Sequence, residues 1–167
     1  MATTRSPKTG QIDEISRAII EHLQDDGRKS YAVIGKAIGL SEAAVRQRVQ
    51  KLTETGVMQV VAVTDPMQLG FDRQAMIGIK SNGDTRETAE LLAKMPEVDY
   101  VVLTAGSFDI LVEVVCENDD DLIALLNSKI RSLPGVTSSE TFVYLKLHKQ
   151  FYNWGSRLGG FQKQQTK

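Results

Sequence analysis

A chain of 167 residues that is 41% hydrophobic and 25% charged has the composition of a soluble globular protein, with room for one large or two small domains. A net charge of −1 excludes a simple polycation that coats nucleic acid, and the single Cys116 excludes an intramolecular disulfide framework, which fits a reducing cytosol. No apolar run approaches the roughly 18 residues of a membrane span and no signal peptide precedes the first periodic segment, so the expectation is a cytoplasmic protein with no membrane partner.

The charge is unevenly spread. Residues 1–63 carry nine Lys and Arg against seven Asp and Glu, residues 64–150 carry eight against fourteen, and residues 151–167 carry three against none. That asymmetry suggests a DNA-contacting N-terminal part joined to an acidic part with another task. Residues 1–11 are polar and read as a flexible tail. Ile12, Ile15, Ile19 and Leu23 then recur at helical spacing, so residues 12–26 read as a helix that stops at Asp25-Asp26-Gly27. His22, with no Cys or second His nearby, reads as a packing or surface residue.

Helices are expected next near 31–38 and 41–56. Ser30 and Ser41 stand where an N-cap is wanted, because a hydroxyl accepts a bond from the unpaired N–H groups of a first turn. Gly39 supplies the left-handed residue that ends the first of the two. Small residues around the turn (Gly35, Ala37, Ala43, Ala44) let the helices cross closely, which is a helix-turn-helix signature. At about 100° per residue, Val45, Val49 and Leu52 fall on one side of the second helix and Ala43, Arg46, Gln47 and Gln50 on the other, flanked by Arg48 and Lys51. Arginine and glutamine suit guanine and adenine edges, and lysine suits phosphate. A solvated amphipathic helix is the plainer alternative. The β-rich Val57–Val63 is expected to add a strand and complete a winged unit over 12–63.

Residues 64–72, with Pro66 and Gly70, read as a hinge. Strands are expected at 75–80, 98–104, 108–116 and 140–149, and helices at 85–94 and 120–133, in the order βαββαβ. The echo of Met95-Pro96-Glu97-Val98 in Leu133-Pro134-Gly135-Val136 marks two related halves. Such halves make a ferredoxin-like sheet over 73–150 with both helices on one face. The other face, expected to carry Met76, Val102, Leu111 and Val143 or their alternates, has no helix to cover it, which predicts dimerisation.

HLQDDGRKSY, IGLSEAAVRQRVQKLTETGV, DPMQLG, the GSFD of Gly106–Asp109, and LPGV followed by ETFVYLKLHK stand in one order over residues 12–150. In these motifs the chain resembles the Lrp/AsnC family of feast/famine transcription regulators. The resemblance implies a DNA-binding domain, a hinge, and a dimerising ligand-binding domain, with dimers often assembled to octamers and an amino acid commonly acting as effector. Ser16 stands where the family usually has Asp, and Gly35 where it usually has Ala, which is expected to weaken that helix by up to about 1 kcal/mol. The tail 151–167 runs beyond the usual end, with Phe151, Tyr152 and Trp154 expected at a sheet edge or assembly interface.

For double-stranded DNA, Arg46, Gln47 and Gln50 are expected to face base edges, and Ser30, Tyr31, Ser41 and Lys51 to face phosphates, with Ala43 also on the DNA-facing side, on a roughly palindromic operator. Arg48 has a structural alternative, pairing with Glu54 or Asp26. For the effector, the turn Thr104–Asp109 offers N–H groups near Gly106 and Ser107 to a carboxylate and Asp109 to an ammonium. A hairpin turn in which Asp109 bonds local amides is the alternative, and the resemblance favours the ligand. Thr141 and Phe142 are implied as cross-interface partners. No cofactor is expected: the sequence shows no Walker loop, metal-spaced His/Cys cluster or nucleophile–base pair. Asn118–Asp121 reads as a helix cap rather than a cation site. An architectural DNA-wrapping protein and a small-molecule enzyme on the ferredoxin-like half are the competing functions.

Overall fold

The computed structural model describes residues 12–150, so the tails expected at 1–11 and 151–167, with Phe151, Tyr152 and Trp154, lie outside the described residues. Among the described residues, 12–62 together with Gln150 form one compact unit and Val63–Lys149 form the other.

Three helices build the first unit: α1 (Glu14–Asp25), α2 (Tyr31–Ile38) and α3 (Glu42–Glu54). Each begins at an oxygen-bearing cap. Asp13 Oδ1 accepts from Ser16 N–H at 2.7 Å, Ser30 Oγ from Val33 N–H at 3.3 Å, and Ser41 Oγ from Ala44 N–H at 3.2 Å. Gly39, at φ 75°, ends α2 as its sequence position predicts. Ile19, Leu23, Ile34, Val45 and Val49 form the core, with Tyr31, Ile38 and Leu40 packed against it. Ile15 does not complete the stripe expected of α1; it is exposed, and Ser16 is buried instead. Gly35 has a steric reason beside its propensity cost. A Cβ there would lie 2.5 Å from the Leu40 carbonyl oxygen, so glycine is what lets the turn after α2 fold back onto the helix.

Residues 57–63 form no strand, and Val60, Val61 and Val63 are exposed. β-propensity needs a neighbouring strand to become structure, and these residues pair with none in the described chain. Among the described residues, the helix-turn-helix unit therefore has no wing of the kind expected at 57–63.

The second unit opens with a 3₁₀ turn, Pro66–Leu69, capped by Asp65. Then come β1 (Arg73–Ser81), α4 (Thr85–Leu92), β2 (Val98–Leu103), β3 (Ile110–Cys116), α5 (Asp119–Ala124) and β4 (Val136–Val143). Asn118 caps α5 through Asp121 N–H at 2.9 Å, and α5 runs on into a π-helical stretch, Leu125–Ile130. The antiparallel sheet has the order β2-β3-β1-β4, the ferredoxin-like arrangement. Ala75, Ile77, Ile79, Ile110, Val112 and Val114 face Leu92, Leu122, Leu125 and Ile130 from the helices, which places the core on one side of the sheet.

The last strand ends at Val143 rather than Lys149. Tyr144 N–H still bonds the Gln74 carbonyl at 2.9 Å, but β1 begins at Arg73 and offers no ladder beyond it, and Leu145 is 97% exposed. Register also changes one residue of the uncovered face. Val143 pairs with buried Ala75 and so lies on the helix side, while Phe142 pairs with Met76 and takes its place. The open face thus carries Met76, Val102, Leu111 and Phe142. No helix among the described residues is long and apolar enough to cross a membrane.

Candidate functional site

On α3, Val45, Val49 and Leu52 are buried, and Ala43, Arg46, Gln47, Gln50 and Lys51 are exposed on the opposite side. These five of the side chains expected to meet DNA therefore share one exposed side of α3. Ser41 and Ser30 sit at the starts of α3 and α2, with Tyr31 beginning α2. The exposed groups are not all free. Arg46 Nη2 donates to Glu42 Oε1 at 2.7 Å, its Cζ lies 5.3 Å from the centroid of the Tyr31 ring, and Gln50 Nε2 donates to Glu54 Oε1 at 2.8 Å. Exposed pairs of this kind contribute little and are readily exchanged for other partners.

Arg48 pairs with neither Glu54 nor Asp26. Its Nη1 reaches Asp13 Oδ2 at 2.6 Å and Ser16 Oγ at 3.0 Å, tying α3 to the start of α1. Hydrogen bonds from Ser16, then from Arg48, hold the Asp13 carboxyl down to about 2. Buried Ser16 thus has its hydroxyl oxygen accepting from this guanidinium. No local pattern in the sequence announces a pair 35 residues apart, whereas the i,i+4 spacing of Glu42 and Arg46 was open to reading.

In the second unit the turn 104–109 is braced from within. Thr104 N–H donates to the Asp109 carbonyl at 2.9 Å and Thr104 Oγ1 to the Phe108 carbonyl at 2.5 Å. Asp109 Oδ2 accepts from Ser81 N–H at 2.8 Å, and Asp109 N–H donates to the Ile79 carbonyl at 2.9 Å, so this residue ties the turn to the end of β1. Ala105, Gly106 and Ser107 are exposed, and a Cβ on Gly106 would meet open space. Phe108 lies over Gly78, where an added Cβ would come within 2.5 Å of the ring, and meets Phe142 edge-on at 6.1 Å between centroids. The turn and Phe142 are thereby brought together through Phe108, which the sequence reading passed over.

Thr141 is not part of that group. It pairs with Ile77 on the helix-covered side, where its Oγ1 is buried without a hydrogen-bond partner among the described residues. Elsewhere on the open face Gln74 Nε2 donates to Glu113 Oε1 at 2.9 Å. Burial, together with the Glu113 carboxylate, pushes the Tyr144 phenol up to about 12.

Residues 12–53 match the AsnC-type helix-turn-helix domain, and residues 72–157 match a C-terminal dimeric alpha+beta barrel domain of AsnC-type regulators. The HTH-type transcriptional regulator FL11 of Pyrococcus horikoshii is 38% identical over 83% of this chain and 93% of its own. The solved structure of AsnC from Escherichia coli superposes with a TM-score of 0.73 at 29% identity, covering 84% of this chain and 97% of that one. A Neisseria meningitidis transcriptional regulator, solved as its complex with L-Met, shares the fold at a TM-score of 0.73 and 23% identity, over 84% of this chain and 94% of its own. The chain belongs to the Lrp/AsnC family of transcriptional regulators.

Proposed function

We propose that this regulator reads a specific operator in double-stranded DNA and that a small effector, an amino acid, sets its operator affinity or its assembly. The observation that carries the DNA half is the single exposed face of Arg46, Gln47, Gln50 and Lys51, set opposite the buried stripe of α3. A protein in which that face lies in the major groove needs two copies to read a pseudo-palindrome, with half-sites a helical turn or a multiple apart. The uncovered sheet face supports a dimer as the minimal assembly, and an octamer is the larger assembly that the family suggests. Residues 12–63 serve as the DNA-binding domain, 64–72 as the hinge and 73–150 as the effector and dimerisation domain of a protein acting in the cytoplasm.

The effector half rests on the exposed residues Gly106 and Ser107 beside Thr104 and Asp109, with Phe142 of β4 brought to the turn through Phe108; Thr141, on the helix-covered side, has no place in it. Asp109 already accepts from Ser81 through Oδ2, which leaves Oδ1 to take an ammonium. A regulator of the same fold binds L-Met, which supports an amino acid as the chemical class. The test is a thermal-shift panel of the purified protein against the twenty amino acids and common 2-oxo acids. A ligand that binds only the folded state raises stability by about 2.7 kcal/mol at a hundredfold excess over its Kd. The expected result is a selective hit that also changes DNA affinity and is lost in Asp109→Ala. A flat panel counts against an amino-acid effector.

A further inference from the structure

Among the exposed polar groups of α3, Arg46 is held on two sides. Glu42, one turn nearer the start of the helix, takes a hydrogen bond from Nη2 at 2.7 Å, and the Tyr31 ring of α2 faces Cζ at 5.3 Å. Tyr31 is itself fixed, because it follows the Ser30 cap and packs against the core of Ile19, Leu23, Ile34, Val45 and Val49. A long side chain loses rotamer freedom when it binds, and a ring that already holds the guanidinium reduces that cost. The fork of a guanidinium matches the O6 and N7 pair of guanine, so its orientation matters for base reading; attraction to a phosphate needs charge much more than plane.

The Glu42 pair acts in the other direction. Both its ends are exposed, with side-chain accessibilities of 63% for Arg46 and 50% for Glu42, so a base edge can replace the carboxylate at little loss. Until that exchange occurs, Glu42 partly neutralises Arg46 and lowers its attraction to phosphates of any sequence.

Building on the assignment of α3 to the groove, we propose that Tyr31 is a positioning residue for Arg46, and that the guanidinium its ring holds reads a guanine in each operator half-site once the base has displaced Glu42. Tyr31 acts here through its ring, not through a phosphate contact from its hydroxyl. The sequence preference at that guanine therefore depends on an aromatic face of the neighbouring helix α2, which itself contacts no base.

The test is selection of full-length protein against a randomised duplex library, comparing wild type with Tyr31→Phe, Tyr31→Leu and Arg46→Lys, each checked for cooperative thermal unfolding. Wild type is expected to enrich a half-site guanine whose preference vanishes in Arg46→Lys, although that variant keeps the charge. Tyr31→Phe keeps the ring without the hydroxyl and should retain the preference. Tyr31→Leu keeps apolar packing without the ring and should lose at least about fivefold at that one position, the low end of what a bidentate contact discriminates. If wild type enriches a consensus and Tyr31→Leu leaves its guanine intact, or Tyr31→Phe loses it, the positioning role is overturned while the regulator reading stands. If Arg46→Lys keeps the guanine, the base assignment is overturned. If wild type enriches nothing, the sequence-specific reading itself fails.

Discussion

Gly35 joins one residue's chemistry to the angle between two helices. Replacing it by alanine gains up to about 1 kcal/mol of helix propensity but drives a methyl to 2.5 Å from the Leu40 carbonyl oxygen, whose own N–H already bonds the Gly35 carbonyl at 2.8 Å. Overpacking of this kind costs about 1–3 kcal/mol. Gly35→Ala is therefore expected to lower the urea midpoint of unfolding, and a stabilised variant would show that the turn yields more easily than its geometry implies. At the DNA face, Arg46 and Lys51 are expected to separate. Arg46→Ala should relax sequence preference, whereas Lys51→Ala should weaken binding to all duplexes alike and reduce the salt slope by about 1. Titration of both variants against matched and scrambled duplexes over a salt series checks this, and unchanged binding in both removes α3 from the groove.

Among the elements, α3 is held in place by Arg48, and that attachment has a pH signature. The Asp13 carboxyl is depressed to about 2 from a value of 3.8, first by Ser16 and then by Arg48. A carboxyl depressed on folding stabilises the protein above its unfolded pKa, and the contribution is lost as pH falls through the folded value. Between about pH 4 and pH 2 the wild type should therefore lose stability more steeply than Asp13→Asn. Asparagine preserves the helix cap but not the ion pair. Chemical denaturation at stepped pH gives both curves; parallel curves would mean that Arg48 does not hold Asp13 in solution.

The same scale shows what was legible beforehand. Ser30, Gly39 and Ser41 place α2 and α3 almost to the residue, because caps act on their own first or last turn. Strand ends and faces depend on partners that the local sequence does not contain. Val57–Val63 has the composition of a strand and pairs with nothing in the described chain, while β4 ends at Val143, near the start of β1, where only one further hydrogen bond, Tyr144 N–H to the Gln74 carbonyl, follows. Val143 and Phe142 exchanged faces because alternation specifies two sides and only register says which is which. The polar faces of α3 and the 104–109 turn could be read from residue type, but the Arg48–Asp13 pair and the seat of Phe108 on Gly78 come from contacts distant in sequence.

At the scale of the whole molecule, family membership brings together a DNA-binding domain and a dimeric α+β domain. The open sheet face, with Met76, Val102, Leu111 and Phe142, is the surface through which two copies are expected to pair. Leu111→Asp places a charge in the middle of that face on a strand whose other side is fully buried, so the fold should survive while the dimer does not. Light scattering after size-exclusion chromatography should report a monomer for the variant and a dimer or larger assembly for wild type. Loss of the second copy should also weaken operator binding, because each recognition helix would then engage a half-site alone. An unchanged assembly would move the interface elsewhere on the domain.

The most direct measurement is the affinity of the full-length protein for its selected duplex and for a scrambled duplex of equal length, both at physiological salt. A regulator that reads bases through Arg46, Gln47 and Gln50 is expected to favour the selected duplex by about a thousandfold or more. Equal affinities, both falling steeply with salt, would show that the exposed face of α3 meets only phosphates, and would replace sequence reading with architectural wrapping.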